Sequence, residues 1–146
     1  MEEKLEDILK IPGVLSIFAI NNRAEMITKL FNTEVTQEMA ERLGARIIKI
    51  FAIGIYGKVK RPTAEIELLY NNKRVLAIDC DRYNLVMICD NFVNISMLRM
   101  TVNVLIQSMV QDKKVQKFLE DHAIDKKLLL RRDKLTEEEI NLLEKV

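Results

Sequence analysis

Thr63-Ala64-Glu65-Ile66-Glu67-Leu68-Leu69-Tyr70, Arg74-Val75-Leu76-Ala77-Ile78-Asp79-Cys80 and Tyr83-Asn84-Leu85-Val86-Met87-Ile88-Cys89 follow one another with two short breaks. The first segment alternates apolar and polar residues as a half-buried strand does. The breaks are Asn71-Asn72 and Asp81-Arg82, and asparagine tolerates the positive φ of a tight hairpin. A polar pair, Asp90-Asn91, then leads into a helical pattern from about Asn94 to Val110. Residues 62–110 thus read as a three-stranded antiparallel meander that delivers the chain to a covering helix.

Upstream, Leu5, Ile8 and Leu9 share one face of a short amphipathic helix with acidic residues in its first turn. Pro12-Gly13 ends it. Val14 to Ile20 is apolar on both faces apart from Ser16, the mark of a strand covered on both sides. Asn21-Asn22-Arg23 turns the chain into a second strand, Met26 to Phe31. A second helix starts at Thr36 as N-cap and runs to about Ile53, where Gly54 and Gly57 are placed to end it. At 100° per residue, Met39, Leu43, Ile47, Ile50 and Ile53 form its core stripe; Glu38, Arg42, Arg46 and Lys49 form a solvated face. Apolar character continues through Ala40, Gly44, Ile48 and Phe51. A glycine inside a helix costs about 1 kcal/mol relative to alanine, so Gly44 implies close approach of a backbone. That backbone belongs either to the chain's own sheet or to a partner.

The helix after the meander also has two apolar faces. Ile95, Leu98, Val102, Leu105, Ile106 and Met109 form the core face, and Met97, Met100 and Val104 lie roughly opposite. Residues 113–146 make a helical extension: Val115, Phe118 and Leu119 continue the pattern, Leu128 to Leu130 cluster, and Thr136 to Glu139 is a capping box. The expectation is that this tail folds back over Met97, Met100 and Val104.

Composition narrows the function. Apolar residues are 49% and charged residues 31% of 146, a globular balance in a chain long enough for one domain with its own core. A net charge of +1 gives no field to draw nucleic acid or a membrane surface. The opening Met1-Glu2-Glu3-Lys4 is too acidic for a signal peptide, no apolar run is long enough to span a bilayer, and the expected location is cytoplasmic. Cys80 and Cys89 lack zinc spacing and read as free thiols. His122 is the one histidine and makes no triad alone. Gly54 and Gly57 lack the lysine of a phosphate loop. Asp79, Asp81 and Asp90 read as solvated turn carboxylates, and Lys58, Lys60 and Arg61 beside Tyr56 as a small basic patch without stacking partners. No catalytic residue, cofactor or metal is expected.

The order helix–strand–strand–helix–strand–strand–strand–helix resembles the roadblock (dynein light chain) domain. Ile11-Pro12-Gly13-Val14 stands at that family's helix-to-strand junction, and Asn94-Ile95-Ser96-Met97-Leu98-Arg99 at the start of its last helix. The likeness covers residues 1–112; residues 113–146 lie beyond it. One departure is the turn between the first two strands, where many relatives have glycine and this chain has Asn21-Asn22-Arg23-Ala24.

The resemblance implies an α+β, three-layer helix/sheet/helix sandwich, roadblock/profilin-like, with a five-stranded antiparallel sheet of order 2-1-5-4-3. It implies a homodimer joined through third strands, with second helices packed across the two-fold. The interface residues would be Gly44, Ile48, Phe51, Glu65, Ile66, Glu67 and Leu68. It further implies a regulator of a Ras-like small GTPase of the MglB type, not an enzyme itself. The partner would be met by Arg42, Arg46 and Lys49 on the second helix, either arginine being available as a finger. The other readings are a scaffold or light-chain subunit of a motor or signalling assembly and, weakest, a small-molecule sensor.

Overall fold

Five strands, β1 (Val14–Asn21), β2 (Met26–Phe31), β3 (Glu65–Tyr70), β4 (Lys73–Asp79) and β5 (Tyr83–Asp90), form one antiparallel sheet of order β2-β1-β5-β4-β3. The computed structural model describes residues 1–31, 35–56, 65–70 and 72–122, with Phe31, residues 53–56 and Tyr70 described by backbone alone. β1 and β5 are buried along nearly their whole length, because both faces of their apolar sequences are covered.

Side chains alternate between two cores. On one face Phe18, Ile20, Val75, Ala77, Val86 and Ile88 pack against α2 (Gln37–Tyr56). On the other, Ile17, Ala19, Leu76, Leu85 and Met87 pack against α1 (Glu2–Leu9), α3 (Ile95–Gln111) and α4 (Lys113–His122). The fold is therefore the expected three-layer α+β sandwich, with the expected strand order. One extra residue enters β1 where Val14 pairs Cys89 but Ser16 pairs Ile88, a bulge that turns Leu15 toward α2.

The turns differ in detail from the sequence reading. Asn72 has φ 60°, as its hairpin requires. In the β1–β2 turn, however, the left-handed residue is Ala24, with φ 65°, and not an asparagine. Asn21 is instead the organiser of that turn: its side-chain oxygen accepts from the amides of Arg23 (2.9 Å) and Glu25 (3.1 Å). At the junction of α1 and β1, Gly13 has φ 93°, and a Cβ there would fall 3.0 Å from Val93 Cα. Its carbonyl accepts from Asp90 N at 2.7 Å. Gly13→Ala combines a forbidden φ with a backbone clash and is expected to lower stability by about 1–3 kcal/mol, read as a drop in urea midpoint. An unchanged midpoint would mean that the junction relaxes without cost.

Two features of α2 correct the sequence reading. Thr36 is the expected N-cap, its Oγ1 accepting from Met39 N at 3.2 Å, but the helix runs through Gly54 to Tyr56. Among its described side chains and Gly44, the buried residues are Ala40, Leu43, Gly44, Ile47 and Phe51, whereas Met39 and Ile50 are only half-buried; the side chain of Ile53, also expected in the core stripe, lies outside the described residues. The stripe is thus rotated toward the smaller residues. A Cβ on Gly44 would meet Ile20 Cδ1 at 3.2 Å, so the backbone that Gly44 admits is this chain's own sheet.

Asp112 separates α3 from α4. Its Oδ1 accepts from Lys114 N (2.9 Å) and Val115 N (3.3 Å), while Lys4 Nζ lies 3.3 Å from Oδ2. The amide of Val115 first, then those of Lys114 and the Lys4 side chain, outweigh desolvation and hold the carboxyl below its usual range. This contribution is complete above the unfolded carboxylate pKa and fades as pH falls through the depressed one.

α4 then crosses the end of the sheet where the β1–β2 and β4–β5 turns meet. Arg82 donates to Gln116 Oε1 (2.5 Å), and Asn21 Nδ2 donates to the His122 carbonyl (3.3 Å). Val115 and Leu119 are buried in the same core as α1 and α3. Residues 123–146, including the predicted last helix and the predicted cover over α3, lie outside the described residues.

Candidate functional site

Two surfaces carry the residues singled out in the sequence: the outer strand β3 and the outward face of α2. Among the described residues β3 is paired only with β4, so its other side presents backbone donors and acceptors that no described strand meets. Alternation sends Ile66 and Leu68 toward the α2 core, where both are half-buried. Glu65 and Glu67 go to the other face, where Arg99 of α3 ion-pairs with both, reaching Glu67 at 3.3 Å. Leu69, next along that face, is 77% exposed. The clasp escaped the sequence reading: Arg99 and the two glutamates are more than thirty residues apart, and no local pattern links them.

On α2, Arg42, Arg46 and Lys49 are all exposed, as a solvated face requires. Arg42 Nη2 lies 2.6 Å from Glu38 Oε1 one turn earlier; with both side chains in water the pair orients the guanidinium more than it stabilises the fold. Gly44 and Phe51 are turned to the chain's own core, Phe51 being 5% exposed. Of the three α2 residues expected at a subunit interface, only Ile48, half-buried, remains partly available to a partner.

The titratable groups lie elsewhere. Asp79 and Asp81 sit at the β4–β5 turn, where Asp79 Oδ1 accepts from Asp81 N at 2.9 Å. Asp90 is at the far end of β5, ion-paired with Lys73 at 2.9 Å. Asp90 is thus separated from Asp79 and Asp81 by the length of β5. Burial, then the Asp90 carboxylate, pushes the Cys89 thiol up to about 12, so it stays protonated and serves as a packing group. Burial chiefly raises Tyr83 as well, helped by Cys80 beside it. Lys58, Lys60 and Arg61 fall outside the described residues.

A sheet of order 2-1-5-4-3 with one long helix on one face and the terminal helices on the other is the roadblock fold, and the chain has it. A Roadblock/LC7 domain from Streptomyces avermitilis superposes with a TM-score of 0.63 at 9% identity, covering 75% of this chain and 93% of that one. The gliding protein MglB from Thermus thermophilus gives 0.61 at 11%, covering 82% and 87%. Myxococcus xanthus MglB gives 0.57 at 14%, covering 73% and 85%. At these identities the likeness is one of fold. No protein-family model matches the sequence, and no curated protein matches it. Among the described residues no helix is long and apolar enough to cross a membrane.

Proposed function

We propose that this protein is a dimeric regulator of a Ras-like small GTPase, of the MglB type, acting by contact on the switch regions of its partner. The observation that carries the reading is a fold shared with MglB over most of both chains. Two copies pair through the open side of β3, along Glu65, Ile66, Glu67 and Leu68, with Ile48 of α2 near the two-fold axis. The paired helices then set two copies of Arg42, Arg46 and Lys49 side by side. That cationic surface receives the GTPase, and it steers association more than it adds affinity. The chain supplies no catalytic centre of its own; Arg42 or Arg46 acts in trans if hydrolysis is accelerated. In this reading the protein works in the cytoplasm.

The test is a pull-down of the GTPase loaded with GDP or a GTP analogue, followed by a hydrolysis assay. Arg42→Glu with Arg46→Glu is expected to weaken binding at least about tenfold, and the wild-type complex to weaken with added salt. Unaltered binding and hydrolysis would remove this surface. Binding that ignores the nucleotide would favour the second reading, a scaffold or light-chain subunit. One observation speaks for that reading: Met97, Met100 and Val104 on α3 are 48%, 72% and 68% exposed, a stripe that no described residue covers.

A further inference from the structure

Among the described residues the sheet has a second open side. There β2 is paired only with β1, and its outward backbone groups invite an added strand. Beside it runs a groove of about 460 Å³, lined by Ile27 and Thr28 of β2, Glu2 and Glu3 of α1, and Lys114 and Phe118 of α4.

The chain leaves α4 at the rim of this groove. The His122 ring stacks on Phe118 with centroids 4.4 Å apart, and the His122 carbonyl is held by Asn21. The sequence then continues Ala123-Ile124-Asp125-Lys126-Lys127-Leu128-Leu129-Leu130-Arg131-Arg132, three leucines between two pairs of cations. Six residues of extended chain span roughly 20 Å, ample to carry Leu128 from His122 into the groove.

The charges match as well. Glu2, Glu3, Glu6 and Asp7 make the exposed face of α1 acidic, and among them only Asp7 has an ion-pair partner within the described residues, Lys10 at 3.5 Å. Lys114, on the α4 side, opposes this pattern: it lines the groove together with Glu2 and Glu3, one cation against two carboxylates, and Glu6 and Asp7 extend the acidic face of α1 beyond the groove. Another exposed apolar surface, the methionine stripe of α3, is bordered by the uncharged Ser96, Asn103 and Gln107, and the carboxylates of β3 on that side of the sheet, Glu65 and Glu67, are already held by Arg99.

We infer that Lys126–Arg132 docks in this groove, its leucines against Ile27 and Phe118 and its cations along the carboxylates of α1. Docked there, the segment covers the β2 side of the sheet and leaves β3 as the one side free to pair. Edge-to-edge association then closes at two copies, where two open sides would propagate into a filament. The docking itself does not rest on the GTPase reading, and it holds in a monomer or a dimer.

The experiment uses the full chain, with amide exchange and methyl signals followed by NMR. In the wild type, the Ile27 methyl shows contacts to leucine methyls of residues 128–130. Reversal of Lys126, Lys127, Arg131 and Arg132 to glutamate is expected to abolish those contacts and to speed β2 exchange at least about tenfold. Adding Glu2→Lys, Glu3→Lys and Glu6→Lys restores both, by exchanging the signs across the contact. Unchanged β2 exchange and an unmoved Ile27 methyl in the reversed variant would overturn the inference. So would leucine contacts to Met97 and Met100, or failure of the charge exchange to restore protection. Exchange at β3, read from the same spectra, reports self-association separately.

Discussion

Phe18→Ala is expected to lower the unfolding free energy by about 3–5 kcal/mol, a large part of what a domain of this size commands. Phe18 has no exposed surface. It sits in mid-β1, paired with Val86 of β5 and Lys29 of β2, with its ring under α2 among Ile20, Leu43 and Ile47. The cost of such a truncation depends on how far the surroundings can collapse into the space. Here they collapse poorly, because α2 presents Gly44 to the ring, at 3.9 Å from Cε2 for a Cβ placed there. A residue without a side chain has nothing to move inward. The effect therefore belongs in the upper half of the range. Urea unfolding followed by circular dichroism measures it, and a loss below about 1 kcal/mol would mean that α2 is not seated on Phe18.

Ile48→Lys is expected to convert the proposed dimer to monomer at micromolar concentration while leaving the fold within about 1 kcal/mol of wild type. Ile48 is half-buried, so the subunit tolerates a lysine there. In the proposed association the same position meets its own copy across a two-fold axis, and two ammonium groups would face each other. Phe51 is a poor site for this test, because its burial against the sheet would confuse dissociation with unfolding. Sedimentation velocity separates the outcomes. A dimer unaltered by the substitution removes Ile48 from the interface, and a wild-type monomer removes the dimer.

How much of this was legible in the sequence depends on which residues carry the signal. The strands were readable because their apolar runs are broken by Asn71-Asn72, Asp81-Arg82 and Asp90-Asn91, and the third helix because Leu98, Val102 and Met109 recur at helical spacing. The strand order followed from the resemblance and not from periodicity. The face of α2 was misplaced for a physical reason. Weighting by hydrophobicity favours Met39 and Ile50 over Ala40 and Gly44, yet a helix lying close on a sheet needs small residues at the contact. Ala40 and Gly44, with little apolar surface, share the buried face with Leu43, Ile47 and Phe51. Contacts between distant segments left no local trace: the Asn21 bond to His122 links positions 101 apart in sequence. In the sequence Asn21 reads simply as a turn residue. The candidate surface residues Arg42, Arg46 and Lys49 were readable as exposed, since a solvated helix face has its own periodicity.

Arg99 has a mechanical consequence. By holding Glu65 and Glu67 from above, it fastens the outermost strand to a helix of another layer as well as to its neighbour in the sheet. A strand tied on one side alone peels away one residue at a time, and a peeled strand is free to exchange into another copy. This one is anchored along two directions at once. A load on α3 is passed to β3 through a single guanidinium, so whatever grips that helix also holds the rim of the sheet.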